Sequence, residues 1–96
     1  MLIGCPKEIK PQEFRVGMTP MAALEAIAHG HSVVVETNAG VGSGFDDAQY
    51  LAVGAKIVDT AEEVFATADM IVKVKEPQSE ERARLREGQI LFTYLH

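Results

Sequence analysis

Thr19-Pro20-Met21-Ala22-Ala23-Leu24-Glu25-Ala26-Ile27-Ala28-His29-Gly30 runs directly into His31-Ser32-Val33-Val34-Val35-Glu36. The first part has the marks of a helix. Thr19 can accept a hydrogen bond from a first-turn amide, and Pro20 stands at the first helical position, where its missing N–H costs nothing. Met21, Leu24, Ile27 and Ala28 recur at helical spacing, which predicts that they form the buried face. Gly30 stops the helix. In the second part, three consecutive β-branched residues favour extended backbone, and the absence of alternation predicts a strand covered on both faces. A helix followed at once by such a strand is the unit of a parallel α/β sheet.

The same unit recurs on either side. Leu2 to Cys5 is a short apolar run ended by Pro6, a first strand, and Lys7 to Met18 is polar loop. Ala39-Gly40-Val41-Gly42-Ser43-Gly44 is a glycine-rich loop. Asp46 caps a short helix that reaches about Val53 and is closed by Gly54. Lys56 to Val58 is a brief strand. Thr60 and Glu63 stand at capping-box spacing before a helix that reaches about Thr67. Met70 to Lys75 is the next strand, broken at Glu76-Pro77. Ser79 caps a helix through Arg86, Gly88 ends it, and Gln89 to Leu95 reads as a buried final strand. The expected fold is α/β: a parallel sheet with helices on both faces, joined by right-handed crossovers.

Composition bounds the function. Ninety-six residues make one domain at most. The net charge is −5 and the nine basic residues form no stripe, which argues against a nucleic-acid partner. Glu80 to Glu87 is of mixed sign and reads as a solvated helix face. Cys5 is the single cysteine, so no internal disulfide is possible, and it reads as a small buried hydrophobe. No apolar stretch approaches a membrane span, and Met1 to Pro6 reads as too short and too soon broken to be a signal peptide. A soluble protein of a reducing compartment is the expectation.

In open α/β sheets ligands bind outside the carboxyl ends of the strands. Lys75 and His96 fall at such ends, and Arg15 lies in the loop after the first strand. A guanidinium can clamp a carboxylate bidentately, an ammonium can hold a carboxylate or polarise a carbonyl, and an imidazole can move a proton near neutrality. The bland readings are an Arg15 ion pair with Glu8 or Glu13, a solvated Lys75, and a core-edge His96. Lys73 is expected at the surface, on the same side of the strand as Lys75. The glycine loop spells G-x-G-x-G rather than G-x-G-x-x-G, so a turn needing positive φ is a better reading than a nucleotide cradle. His29 and His31 flank Gly30 and read as helix-end caps. No His, Cys, Asp and Glu set has metal-ligand spacing, so no metal is expected.

Four segments in register then carry a resemblance. Pro6-Lys7-Glu8-Ile9-Lys10, Arg15-Val16-Gly17-Met18-Thr19-Pro20, Asp69-Met70-Ile71-Val72-Lys73-Val74-Lys75-Glu76-Pro77 and Leu85-Arg86-Glu87-Gly88-Gln89-Ile90-Leu91-Phe92-Thr93-Tyr94-Leu95-His96 together resemble bacterial alanine dehydrogenase. The resemblance implies the N-terminal part, over residues 1–96, of a Rossmann-like or flavodoxin-like substrate domain that is incomplete in itself. The NAD-binding Rossmann domain is expected to lie outside this chain, so no residue here is expected to bind the cofactor, NAD. The implied reaction is the reversible conversion of L-alanine, NAD and water to pyruvate, ammonia and NADH.

By that resemblance Arg15 and Lys75 bind the substrate, Lys75 and His96 serve the chemistry, and His96 is the acid–base group. It further implies a cytoplasmic homo-oligomer, often a hexamer, acting on L-alanine and pyruvate without nucleic acid or membrane. The isolated chain is expected to be inactive and to self-associate through apolar surface. Two alternatives stand beside it. Nicotinamide nucleotide transhydrogenase has a similar N-terminal domain, but generally lacks the second lysine of Lys73-Val74-Lys75 and the histidine after the Phe-Thr-Tyr-Leu-type strand. A non-catalytic binding or assembly module is the other.

Overall fold

A computed structural model describes residues 1–94. The elements are β1 (Leu2–Cys5), α1 (Pro20–Ala28), β2 (Ser32–Glu36), α2 (Asp47–Ala52), β3 (Lys56–Val58), α3 (Ala61–Thr67), β4 (Met70–Lys73), α4 (Ser79–Arg82) and β5 (Ile90–Thr93). Every strand pairing is parallel, in the order β3-β2-β1-β4-β5. This is the Rossmann-type order rather than the flavodoxin type. From β1 the chain steps outward to β2 and β3, then returns to the other side of β1 to lay down β4 and β5. The loops that leave β1 and β4 therefore part at the topological switch point, where ligands of such sheets bind.

Local chemistry sets the helix starts. The Thr19 hydroxyl accepts from Ala22 N at 3.1 Å, and Thr60 accepts from Glu63 N at 3.2 Å. Asp46 and Gln49 make a reciprocal capping box: each side chain accepts from the other's amide, at 3.0 and 2.9 Å. The sheet is covered on both faces, as its β-branched strands require. Ile3, Cys5, Val33, Val35 and Val72 pack with Ala23 of α1 and Tyr50 of α2 on one face. Ile71, the alternate residue of β4, packs on the other with Val64 and Phe65 of α3 and with Ala68, its C-cap. The fully buried Tyr50 hydroxyl donates to Met18 O at 2.7 Å, so its burial leaves no donor unpaired.

Several expectations are corrected. Of the face expected for α1 only Ile27 packs on the core; the helix buries the small Pro20 and Ala23 with Ala26 partly covered, while Met21 and Leu24 are exposed and Ala28 faces solvent. Small side chains let the helix lie close on the sheet, which outweighs the larger apolar residues. β4 stops at Lys73, two residues short of Lys75. α4 is capped at Gln78, not Ser79, and ends at Arg82. Beyond it, the Arg86 guanidinium turns back to the end of α3, donating to Phe65 O at 3.1 Å and Ala68 O at 2.6 Å. Satisfying those orphan carbonyls competes with continuing α4. β5 is an exposed edge strand, not a buried one: Ile90, Leu91 and Phe92 all face solvent. α4, at four residues, is too short to cover it.

Candidate active site

The loop after β1 carries Arg15 to the switch point. Lys10 to Glu13 forms a tight turn closed by Glu13 N donating to Lys10 O at 3.1 Å. Pro11 presets the turn's second position, and Gln12 takes a positive φ of 65° at the third, a conformation uphill for a side-chain-bearing residue. The turn delivers Glu13 beneath Arg15. The Glu13 carboxylate accepts from Arg15 N at 2.8 Å, Nε at 3.0 Å and Nη2 at 2.8 Å. These bonds hold its carboxyl at about 2, well below the usual carboxylate range. The Glu13 side chain is 5 % exposed and that of Arg15 is 60 % exposed. Glu13 is thus screened by the side chains of its own thin loop, with the guanidinium lying outermost.

The loop after β4 brings Lys75 to the same place. Lys75 Nζ lies 3.9 Å from Glu13 Oε1, the oxygen that also takes Arg15 Nη2. Lys10 spans the two loops in a second pair, with Nζ 2.6 Å from Glu76 Oε1. A cleft of about 420 Å³ is lined by Lys10, Gln12, Glu13, Phe14, Arg15 and Lys75. It is electropositive at its rim and can receive a small anion.

Beneath the cleft lies a buried cluster. Lys73, expected at the surface beside Lys75, is instead 1 % exposed. Because β4 ends at Lys73, strand alternation does not carry over to Lys75, and the two lysines separate. Lys73 shares the face of Ile71, two residues earlier, where Glu8 and Glu81 meet it. Its ammonium donates to Glu8 Oε1 at 2.9 Å and lies 3.2 Å from Glu81 Oε2. The second contact is a charge pair without hydrogen-bond alignment, so among the described residues Glu81 Oε2 has no hydrogen-bond partner. Glu8 also accepts from the amides of Val74 at 3.0 Å and Lys75 at 3.2 Å. A residue of the β1 loop therefore fixes the backbone that presents Lys75. Glu81 also corrects the reading of residues 80–87 as a solvated face.

The glycine loop supports the site from the side. Gly44 has a positive φ of 87°. At Gly42 a Cβ would stand 2.8 Å from Phe14 O, so only glycine lets the Arg15 loop lie this close. Ser43 Oγ donates to the same carbonyl at 2.9 Å. After β5, the Tyr94 hydroxyl donates to Gly17 O at 2.8 Å, tying the end of the sheet to the Arg15 segment. His96, the expected acid–base residue, lies outside the described residues.

The remaining chemical groups sit elsewhere. His29 Nδ1 meets Glu25 O at 2.8 Å at the end of α1, a helix-end contact. His31 caps the helix through its backbone, its N–H donating to Ala26 O at 3.1 Å beyond Gly30, while its Nδ1 lies 3.2 Å from the Met1 amino group. Cys5 is fully buried, and burial pushes its thiol up to about 12. Among the described residues no group of three His, Cys, Asp or Glu could hold a metal ion. Among the same residues no helix is long and apolar enough to cross a membrane.

Of the three expected site residues, Arg15 and Lys75 are brought together. Glu13, Glu8 and Lys73 were not read as parts of the site. Glu13 was visible as an ion-pair partner two residues from Arg15. A lysine within an apolar strand run is itself a signal that a buried carboxylate must be found for it.

Comparison with known proteins fits this geometry. The family described as alanine dehydrogenase/PNT, N-terminal domain, matches residues 4–96. An alanine dehydrogenase of Methanococcus maripaludis is 55 % identical over 96 residues, covering 100 % of this chain and 26 % of that protein. One from Mycobacterium tuberculosis is 50 % identical over the same 96 residues, again 100 % of this chain and 26 % of its own length. Among solved structures, an L-alanine dehydrogenase superposes with a TM-score of 0.95 at 48 % identity, covering 100 % of this chain and 26 % of that one. A transhydrogenase from Sinorhizobium meliloti superposes with a TM-score of 0.91 at 30 % identity, covering 99 % and 27 %. The chain thus spans about a quarter of the length of the relatives it matches.

Proposed function

Since this chain belongs to the alanine dehydrogenase/PNT N-terminal domain family, we propose that it forms the substrate half-site of an NAD-dependent L-alanine dehydrogenase, whose reaction interconverts L-alanine with pyruvate and ammonia. The observation that carries the reading is the meeting of Arg15 and Lys75 on one carboxylate oxygen, from two loops that part at the switch point. A 2-oxo acid offers a carboxylate and an adjacent carbonyl. Arg15 takes the carboxylate through its guanidinium fork. Lys75, partly buried and held at its own amide by Glu8, directs its ammonium at the carbonyl and stabilises charge that grows on that oxygen when ammonia adds. His96 then protonates the departing hydroxyl as the carbinolamine loses water, and works as base in the opposite direction.

The residues described here do not fit a dinucleotide. Gly42, where a pyrophosphate would need open backbone, is covered by Phe14, and α2 beyond the glycine loop opens with Asp46 and Asp47, which repel phosphate. We therefore assign NAD, the hydride carrier, to residues outside this chain. On this reading residues 1–96 are the N-terminal part of a substrate domain, inactive alone, in a cytoplasmic homo-oligomer.

The transhydrogenase reading shares the fold at a TM-score of 0.91. The 50–55 % identity to alanine dehydrogenases, against 30 % to the transhydrogenase, favours the former. The test is a chimaera in which residues 1–96 replace the matching segment of the M. tuberculosis enzyme. Pyruvate- and ammonium-dependent NADH oxidation is expected, falling by at least about a hundredfold in kcat/KM on Arg15→Ala, the scale of a lost bidentate charge contact. A folded chimaera that binds NADH but turns over no pyruvate contradicts the proposal.

A further inference from the structure

We propose that Glu13 is a positioning residue that sets Arg15 and Lys75 as a matched pair for the carboxylate and carbonyl of a 2-oxo acid. The inference rests on the substrate half-site proposed above and adds to it a residue that touches no reacting atom.

Two cations must stand close enough for one small ligand to span both, and like charges at that range repel. A fixed anion between them removes the difficulty. Glu13 Oε1 is 2.8 Å from Arg15 Nη2 and 3.9 Å from Lys75 Nζ. The other oxygen, Oε2, accepts from Arg15 N and Nε. Glu13 thus grips the guanidinium by its side-on edge, Nε and Nη2, and leaves Nη1 and the end-on edge for a second carboxylate.

The layering separates this role from that of a competitor for the site. The Glu13 side chain is 5 % exposed and that of Arg15 is 60 % exposed, so a ligand arriving from solvent meets the guanidinium first. Glu13 need not leave for the ligand to bind. Its position is also built by the backbone: the Lys10–Glu13 turn holds Gln12 at a φ of 65°, a conformation that needs over-determination by its surroundings. Without Glu13, the long Arg15 side chain would have to be ordered by the ligand itself, which weakens binding.

The test uses the 96-residue chain, its Glu13→Gln and Glu13→Asp variants, and Arg15→Ala. Nitrogen-15 NMR follows the Arg15 Nε–H, and pyruvate is titrated into each protein. In the wild type that proton should exchange slowly and be resolved; in Glu13→Gln it should merge with freely exchanging guanidinium signals. Pyruvate should bind Glu13→Gln about tenfold more weakly, about 1.4 kcal/mol, and Glu13→Asp, which keeps the charge, should recover part of the loss. An unchanged Arg15 signal in Glu13→Gln, or equal or tighter pyruvate binding, overturns the positioning role; tighter binding would make Glu13 a competitor. If Arg15→Ala binds pyruvate as well as the wild type, the substrate reading itself fails, and the Nε–H signal alone decides whether Glu13 holds Arg15. Glu13 lies in a surface loop outside both core clusters, so the variants should fold.

Discussion

Replacing Lys73 by methionine tests what holds the floor of the site. Methionine nearly matches the lysine stem in length and volume, so the change deletes a charge with little cavity. Lys73, Glu8 and Glu81 have side chains only 1–2 % exposed. Loss of the ammonium leaves two buried carboxylates. Glu8 keeps the amides of Val74 and Lys75, but Glu81 Oε2, which has no hydrogen-bond partner among the described residues, loses the cation beside it. Deleting one partner of a buried ion pair typically costs about 3–5 kcal/mol. A domain holds roughly 5–15 kcal/mol in all, so Lys73→Met should remove about a fifth or more of its stability. At about 4–8 °C per kcal/mol for this size, the melting midpoint should fall by roughly 12–40 °C.

Urea unfolding followed by circular dichroism measures the loss. Glu81→Gln added to Lys73→Met should return at least about 1 kcal/mol relative to the sum of the single changes, because it removes one orphaned charge. A Lys73→Met protein within about 1 kcal/mol of the wild type, or strictly additive single and double variants, would refute the reasoning.

Three more outcomes follow from the same contacts. With Glu13 held at about 2 by Arg15, below the ordinary carboxylate value, the stability it lends is fully present above that ordinary value and is lost as pH falls through 2; carbon-13 NMR of the Glu13 carboxyl should give a midpoint near 2, and a midpoint above 4 would contradict the bond. Cys5, fully buried with its thiol pushed up to about 12 by burial, should resist iodoacetamide at pH 8 until the chain is unfolded in urea, so rapid labelling of native protein would show the strand to be open. Gly17→Ala should destabilise by about 1–3 kcal/mol, because its Cβ would stand 2.5 Å from Val72 O in the adjacent backbone, and an unchanged melting midpoint would show that the Arg15 loop does not lie where described.

Local chemistry made much of the fold readable. The Val33-Val34-Val35 run, Thr19-Pro20 and the Asp46 and Thr60 caps each reported an element through interactions within a few residues. What local chemistry does not encode is which strands become neighbours, so the switch point between β1 and β4 emerged only in three dimensions. Arg15 and Lys75 could be named from their residue types and the resemblance, but their meeting on Glu13 needed the two loops side by side. The burial of Lys73 depends on Glu8, 65 residues away in sequence. β5 shows the converse limit: Ile90, Leu91 and Phe92 are apolar enough to seek cover, and composition does not say what supplies it. Arg86 left the expected helix for the carbonyls of α3, a choice between two hydrogen-bonding solutions that only packing decides.

The most direct test of the central claim is calorimetric titration of the 96-residue chain with pyruvate, run beside Arg15→Ala and Lys75→Ala. The half-site account predicts saturable one-to-one binding to the wild type that both substitutions abolish while circular dichroism shows the fold intact. A folded wild-type chain that gives no pyruvate heat, or variants that bind as it does, would contradict it.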